Sequence, residues 1–409
     1  MKPMGAIPAG FHADADGMLL IGGQRADRLV AVEGDTPLFV YDRAMLTARV
    51  AALRSAMPAG LGIHFAMKAN PFAPLLVHMA GLVDGIDIAS GGEMHLAIAA
   101  GMVPQHISFA GPGKRDRELR AAIMAGVTVN LESAGEAERA LHIGHQLGVH
   151  PRLAVRVNPS FDLKGSGMKM GGGAKAFGVD AEAVPALVQH IIAAGADWQG
   201  FHIFAGSQAL DAGAIIETQA LTVALAGELA DAVGRAPPLV NLGGGFGVPY
   251  FPGDAPVDIA AIGAALRDTL GTRPDILGST RFAIELGRWL VAEAGVYLCR
   301  IIDRKRSHGE VFLVTDGGLH HQLAASGNFG TVVRRNYPLA IANRFSVAPE
   351  EMASVVGCLC TPLDRLGDQL HLPKAEVGDL VAIFMAGAYG ASASPSSFLG
   401  HGPALERLV

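Results

Sequence analysis

Eight short apolar runs, each ending in polar or glycine-rich residues, follow one another through the first three quarters of the chain. They cover residues 62–68, 85–90, 106–111, 127–133, 152–159, 200–207, 239–247 and 281–290. Helix-compatible segments rich in Ala, Leu and Glu lie between them, as at 92–100, 133–147, 181–194 and 212–233. Continuous apolar strands alternating with helices predict a parallel sheet buried on both faces. Eight such units over about 250 residues predict a closed (β/α)8 TIM barrel, with a helix from Asp42 filling the eighth slot. An open doubly wound sheet is the alternative.

After Leu290 the pattern changes. Residues 297–302, 310–315, 354–360 and 380–385 read as β-strands without strong helices between them. Residues 1–40 read as short strands around Gly22-Gly23 and Gly34-Asp35. The expected organisation is an α/β chain: N-terminal strands 1–40, a barrel over 41–290, and a mainly β C-terminal domain over 291–409 that the N-terminal strands join.

Composition narrows the function classes. Half of the 409 residues are hydrophobic and 17% are charged, so a large core can form. The net charge of −6, with no basic run, argues against nucleic acid. No run reaches the roughly 18 apolar residues of a membrane span, and residues 1–17 lack the plan of a signal peptide. Cys299, Cys358 and Cys360 cannot make a disulfide framework or a paired-cysteine zinc site. A cytoplasmic chain is expected.

Barrel enzymes work at the C-terminal ends of their strands. The first run ends in Lys68, before the turn at Asn70-Pro71. A lysine closing an apolar strand is expected to be partly desolvated, which makes its amine nucleophilic; a surface lysine at a strand end is the plain alternative. The second run carries Asp87 and Ser90, the fifth Arg156 and Asn158, and the sixth His202, Phe204 and Ser207. The seventh ends in Gly243-Gly244-Gly245-Phe246-Gly247, whose amides could cradle a phosphate where barrels often hold one. The eighth ends in Glu285-Leu286-Gly287-Arg288, a carboxylate and a guanidinium fork. A lysine, a phosphate cradle and a carboxylate at one barrel mouth are what pyridoxal 5'-phosphate requires.

These pieces resemble the barrel-type (fold type III) pyridoxal-phosphate-dependent decarboxylases, the family of diaminopimelate and ornithine decarboxylases, with an alanine racemase-like barrel. The resemblance rests on residues 65–70, 87–93, 206–208, 243–247, 285–288, 357–360 with Asp364, and 387–389, in the family's order. It implies a Schiff base at Lys68 and Glu285 facing the pyridinium. Gly243, Gly244, Gly245, Ser207, Arg288 and Tyr389 would hold the phosphate, and Asp87, Arg156, His202, Phe204 and Gly287 would line the cofactor. Cys360 would protonate Cα in the partner's site of a homodimer, with Thr361, Arg288 and Tyr389 near the substrate. A buried structural cysteine is the plain alternative for Cys360.

Two positions depart from the family. Phe204 stands where a ring-stacking histidine is usual; His202, two residues earlier, could take part or be a satisfied core histidine. Thr361 stands where an acidic residue grips the substrate's distal ammonium, which makes free diaminopimelate, ornithine and lysine poorer candidates. Residues 316–330 look like the subgroup linked to exosortase A systems, and like decarboxylases of carrier-protein-tethered aminoacyl groups such as that of butirosin biosynthesis. His320-His321 is not expected to bind a metal, because neighbours on a strand point to opposite faces. The expected activity is decarboxylation of an amino acid or of its carrier-bound derivative. The alternatives are plain diaminopimelate decarboxylase, an alanine-racemase-like enzyme, a bare-barrel cofactor-storage protein and a non-catalytic antizyme-inhibitor-like protein. Intact Lys68, Cys360 and glycines oppose the last.

Overall fold

The computed structural model describes residues 2–169, 171–327 and 334–409. The chain divides into two compact units. One comprises residues 50–247 and 256–287; the other comprises 1–49, 248–255 and 288–409.

The first unit is a closed parallel barrel. Its strands are Gly62–Ala66, Gly85–Ile88, Ile107–Phe109, Thr128–Leu131, Arg152–Asn158, Asp197–Ile203, Leu239–Gly244 and Arg281–Leu286. Each pairs in parallel with the next, and the eighth pairs with the first, Glu285 opposite His64. The open-sheet alternative is thereby overturned. The strands form because both faces are buried: Ile63, Phe65, Ile86, Val129, Val155, Val240 and Ile284 are inaccessible. The helices begin and end on local signals. Ser90 and Ser133 accept from the amides of Glu93 and Glu136, and Gly126, Gly148 and Gly234 close helices in the left-handed conformation.

The second unit is mainly β. Its central strand, Gly295–Ser307, pairs with Glu310–Thr315, Leu380–Ile383 and the N-terminal strand Leu38–Tyr41. Leu38–Tyr41 also pairs in parallel with Leu405–Leu408, so the two ends of the chain share one sheet. A hairpin of Glu351–Val356 and Arg365–Leu372 extends the sheet from Glu310–Thr315. Two readings need correction. Residues 1–40 also hold an α-helix, Ala26–Glu33, which buries Ala26, Leu29 and Val30 at helical spacing. The strand expected over 354–360 ends at Val356, because Gly357 turns the chain into a loop.

One glycine shows how tightly the barrel is closed. Gly200, at a bulge in the sixth strand, has φ +111°, and a Cβ there would lie 1.9 Å from Leu239 O. Gly234 also has positive φ (+76°), but its Cβ would meet open space. We expect Gly200→Ala to cost at least about 2 kcal/mol and lower the thermal midpoint clearly more than Gly234→Ala. Equal shifts in a thermal melt of the two variants would show that contact with the neighbouring strand is not what fixes Gly200.

Candidate active site

Two cavities of similar size open at opposite ends of the barrel. One of about 320 Å³ at the N-terminal end is lined by strand starts such as Gly62, Thr128 and Leu239. The other, of about 310 Å³, is lined by Lys68, Asp87, Arg156, Phe177 and Glu285. The second carries the strand-end residues, and the chemistry belongs there.

Glu285 is its electrostatic centre. Burial pushes its carboxyl upward, but the His202 hydrogen bond and the Lys68 charge outweigh burial and hold it well below the usual carboxylate range. His202 Nε2 lies 2.9 Å from Glu285 Oε2, and Lys68 Nζ lies 4.0 Å from Oε1. His202 thus positions the carboxylate, and its Nδ1 is buried without a hydrogen-bond partner. Lys68 differs from expectation. The strand ends at Ala66, Lys68 sits in the single 3-10 turn Met67–Ala69, and its side chain is 48% exposed. About half of the side chain is covered, and its place beside Glu285 gives it a charge partner. Phe204 presents its ring 5.7 Å from Lys68 Nζ.

Around this pair, the expected Asp87 and Arg156 have partners that sequence reasoning passed over. His64 Nδ1 lies 3.3 Å from Asp87 Oδ1, and Asp87 Oδ2 is buried without a partner. Arg156 bonds Glu132 at 2.9 Å and lies over the Phe177 ring. Glu132 also accepts from the Gly178 amide. Burial raises the Glu132 carboxyl, but Arg156 foremost outweighs it and holds it low. Lys114 is buried against Gly111 O, Asn130 O and the Glu136 carboxylate. The charges at Glu132, Glu136 and Lys114 left no sequence signal beyond a charged residue after an apolar run.

The glycine run needs refinement. The amides of Gly243 and Gly247 are already committed, to Asn241 Oδ1 and Ala209 O. The cradle expected at Gly243, Gly244 and Gly245 therefore has fewer donors than the sequence suggests. The glycines are also required by close approach. A Cβ at Gly244 would lie 1.9 Å from Glu285 O, and one at Gly245 would lie 2.3 Å from Gly206 O. Gly287 similarly lets the eighth strand's end pass the Lys68 turn, 3.1 Å from Ala66 O. Ser207 Oγ is buried and has no hydrogen-bond partner among the described residues. Ser90 and Glu93 form a helix start, with the Glu93 carboxylate accepting from Ala89 N–H.

The remaining expected residues lie in the second unit. Arg288 donates to Tyr250 Oη at 3.0 Å and lies over the rings of Tyr250 and Tyr389. Tyr389 takes left-handed backbone, φ 56°. Cys360 and Thr361 lie in the loop between Glu351–Val356 and Arg365–Leu372. Cys360 is exposed, so a buried structural cysteine does not describe it. Asp364 anchors the loop by accepting from Leu319 N–H at 2.6 Å and Leu359 N–H at 2.9 Å. His320 and His321 occupy a turn, not a strand, with ring centroids 3.8 Å apart, so the opposite-face argument fails. Asn328, Phe329 and Gly330 of the same segment lie outside the described residues.

The barrel site suits pyridoxal phosphate on its own geometry. Lys68 and Glu285 are paired, while Asp87 Oδ2, His202 Nδ1 and Ser207 Oγ are buried polar atoms that the protein leaves unsatisfied.

His64 supplies a pH test. Burial lowers its affinity for a proton, but Asp87 and then Glu285 outweigh burial and raise its pKa. The protonated pair stabilises the fold fully below about pH 6.5, and that contribution is lost as pH rises through the folded value. We expect the thermal midpoint to fall from pH 6.5 to 8.5 more steeply in the native protein than in Asp87→Asn. Parallel slopes would remove the pair from this account.

Comparison with known proteins agrees. Residues 43–292 match the model of the pyridoxal-dependent decarboxylase pyridoxal-binding domain. The chain is 36% identical, over 91% of its length and 89% of the relative's, to the L-glutamyl-[BtrI acyl-carrier protein] decarboxylase of Niallia circulans. It is 31% identical, over 93% of its length and 89% of the relative's, to the diaminopimelate decarboxylase of Archaeoglobus fulgidus. It superposes on the crystal structure of diaminopimelate decarboxylase from M. jannaschii in complex with L-lysine with a TM-score of 0.86 and 26% identity, covering 98% of this chain and 92% of that one. A lysine and a buried carboxylate at the mouth of a closed barrel, matched over most of the chain, make this protein a member of the pyridoxal-dependent decarboxylases, a carboxy-lyase that uses pyridoxal phosphate.

Proposed function

We propose that the substrate is an α-amino acid whose distal end is tethered to a carrier protein, an aminoacyl group of the glutamyl kind, and not a free diamino acid. The observation that carries this reading is the loop over residues 357–364. Its one carboxylate, Asp364, is consumed by the amides of Leu319 and Leu359, and Thr361 follows Cys360. Thr361 Oγ1 accepts from Leu363 N–H, at 3.4 Å. Nothing in this loop offers a charge to a distal ammonium, a loss worth about 1.5–3 kcal/mol for such a substrate. A neutral, extended linkage needs no such partner. The similarity to the carrier-linked glutamyl decarboxylase supports the same reading.

When bound, pyridoxal phosphate supplies the electron sink into which the bond from Cα to the carboxylate breaks. Lys68 would hold it covalently. Glu285, kept ionised by His202 and Lys68, would face the ring nitrogen and keep a proton there. Phe204 would cover a ring face, an apolar contact that leaves ring charge to Glu285. Within the barrel, Ser207 and the amides of Gly244 and Gly245 would hold the phosphate, and Asp87, Arg156 and Gly287 would complete the lining; for Arg288 and Tyr389 the phosphate role rests on the family resemblance alone. Cys360, exposed on its loop, would return the proton to Cα in the partner subunit of a cytoplasmic homodimer.

The test is CO2 release by holoenzyme from free glutamate, diaminopimelate, ornithine and lysine against glutamate loaded on an acyl carrier protein. Release from carrier-bound substrate alone is expected; release from free diaminopimelate at an ordinary enzymic rate would sink the carrier reading. Lys68→Ala should abolish turnover together with the cofactor's bound absorbance band. Cys360→Ala should keep the band and lose at least about 100-fold in kcat.

The shared site is separately testable. Mixed in equal amounts and re-equilibrated, Lys68→Ala and Cys360→Ala should recover about a quarter of native activity, since half the dimers are mixed and each has one whole site. No recovery, with exchange verified, would place both residues in one chain's site.

A further inference from the structure

We infer that His320, Cys358 and His401 form a binding site for a divalent transition-metal ion of the Zn2+ class, in the β unit. The three side chains come from a turn, the hairpin loop and the C-terminal segment, and one ligand atom of each lies within 4.8 Å of the others. Cys358 Sγ is 3.9 Å from both ring nitrogens of His401, and the His320 and His401 ring centroids are 5.0 Å apart. A tetrahedral zinc centre, with bonds of about 2.0 Å to nitrogen and 2.3 Å to sulfur, spaces two nitrogens and one sulfur about 3.3–3.5 Å apart. Closing the site takes a shift on the order of 1 Å, and His401 is exposed and can make it.

The second observation is His320 itself. It is fully buried, and among the described residues neither of its ring nitrogens has a hydrogen-bond partner. Buried polar atoms are nearly always satisfied, so an imidazole with both nitrogens orphaned beside a thiol and a second imidazole points to a ligand.

The surrounding shell holds the donors in place. Asp364 bonds the amides of Leu319 and Leu359, the residues next to His320 and Cys358, and so ties the two ligand-bearing segments together. Gly318 and Gly357 flank that carboxylate so closely that a Cβ at either would lie 2.3 or 2.2 Å from it. His321 is not a ligand. Its Nδ1 faces Tyr297 Oη at 2.9 Å, and its Nε2 lies 2.9 Å from Gly402 O, which pins the residue after His401 beside the site. Such outer contacts orient metal ligands wherever they are built. Two nitrogens and one sulfur suit borderline-soft ions and leave a fourth position open to water or another donor.

Binding has a defined proton balance. Cys358 Sγ–H now donates to Asp316 O at 3.3 Å. The S–H bond breaks, the sulfur keeps the electron pair and bonds the metal, and one proton leaves to buffer. Cys360 lies two residues further along the same loop, so an occupied site would also fix the segment carrying the proposed proton donor.

Metal-stripped holoenzyme titrated with Zn2+ in buffers of different ionisation enthalpy should take up one ion per chain and release about one proton per ion. Co2+ in its place should give a thiolate-to-metal absorption band. Cys358→Ser should lose that band, and both Cys358→Ser and His401→Ala should weaken Zn2+ binding at least 100-fold, while Cys360→Ser retains both properties. His401 is exposed, so His401→Ala should melt like the native protein without metal. Absence of binding at micromolar Zn2+, undiminished binding in His401→Ala, or loss of the band in Cys360→Ser instead of Cys358→Ser would each overturn the assignment.

Discussion

Closure of the barrel by the pairing of its eighth strand with its first is the constraint on which the active site rests. That ladder sets Glu285 opposite His64 and leaves the Lys68 turn just beyond the first strand, so the lysine and the carboxylate meet although more than 200 residues separate them in sequence. A register slip of one residue would turn Glu285 to the other face. The glycines serve the same geometry. Gly244 lets the seventh strand pass the carbonyl of Glu285, and Gly287 lets the eighth strand's end pass the lysine's turn.

A buried carboxylate in a barrel wall must be compensated, and the structure does this in two tiers. Glu285 has His202 and Lys68; one layer out, Glu132 has Arg156 and Glu136 has Lys114. The site is therefore a set of paired charges more than a single acid. That arrangement keeps Glu285 ionised despite burial.

How much of this the sequence disclosed follows from what kind of information each part needs. The barrel was legible because burial on both faces writes itself as apolar runs, and those runs matched the strands to within a few residues. Lys68, Asp87 and Glu285 were legible as polar residues at run ends. The Ala26–Glu33 helix is harder to read because it is only eight residues long and lies between the Gly22-Gly23 and Gly34 turns, so its apolar spacing covers little more than two turns. Lys68 lies in a turn past the strand's end at Ala66, because a run's last residue need not belong to the strand. The commitment of the Gly243 amide to Asn241, two residues back, is a local turn that a glycine run masks, whereas the Lys114–Glu136 pair and the convergence of His320, Cys358 and His401 are products of long-range folding. No spacing encodes them.

The Asp364 anchor has a consequence for how such an enzyme diversifies. The carboxylate and the two glycines beside it fix the base of the loop, while the bonds at its tip are made mostly by backbone: Thr361 N–H donates to Leu359 O, and Leu363 O accepts from Arg334 and from Arg365 N–H. The loop is a cassette with welded ends and an editable middle. Backbone bonds of this kind survive a change of side chain, so under the proposed reading the residue after Cys360 can be exchanged, acid for hydroxyl, with the loop's base left standing.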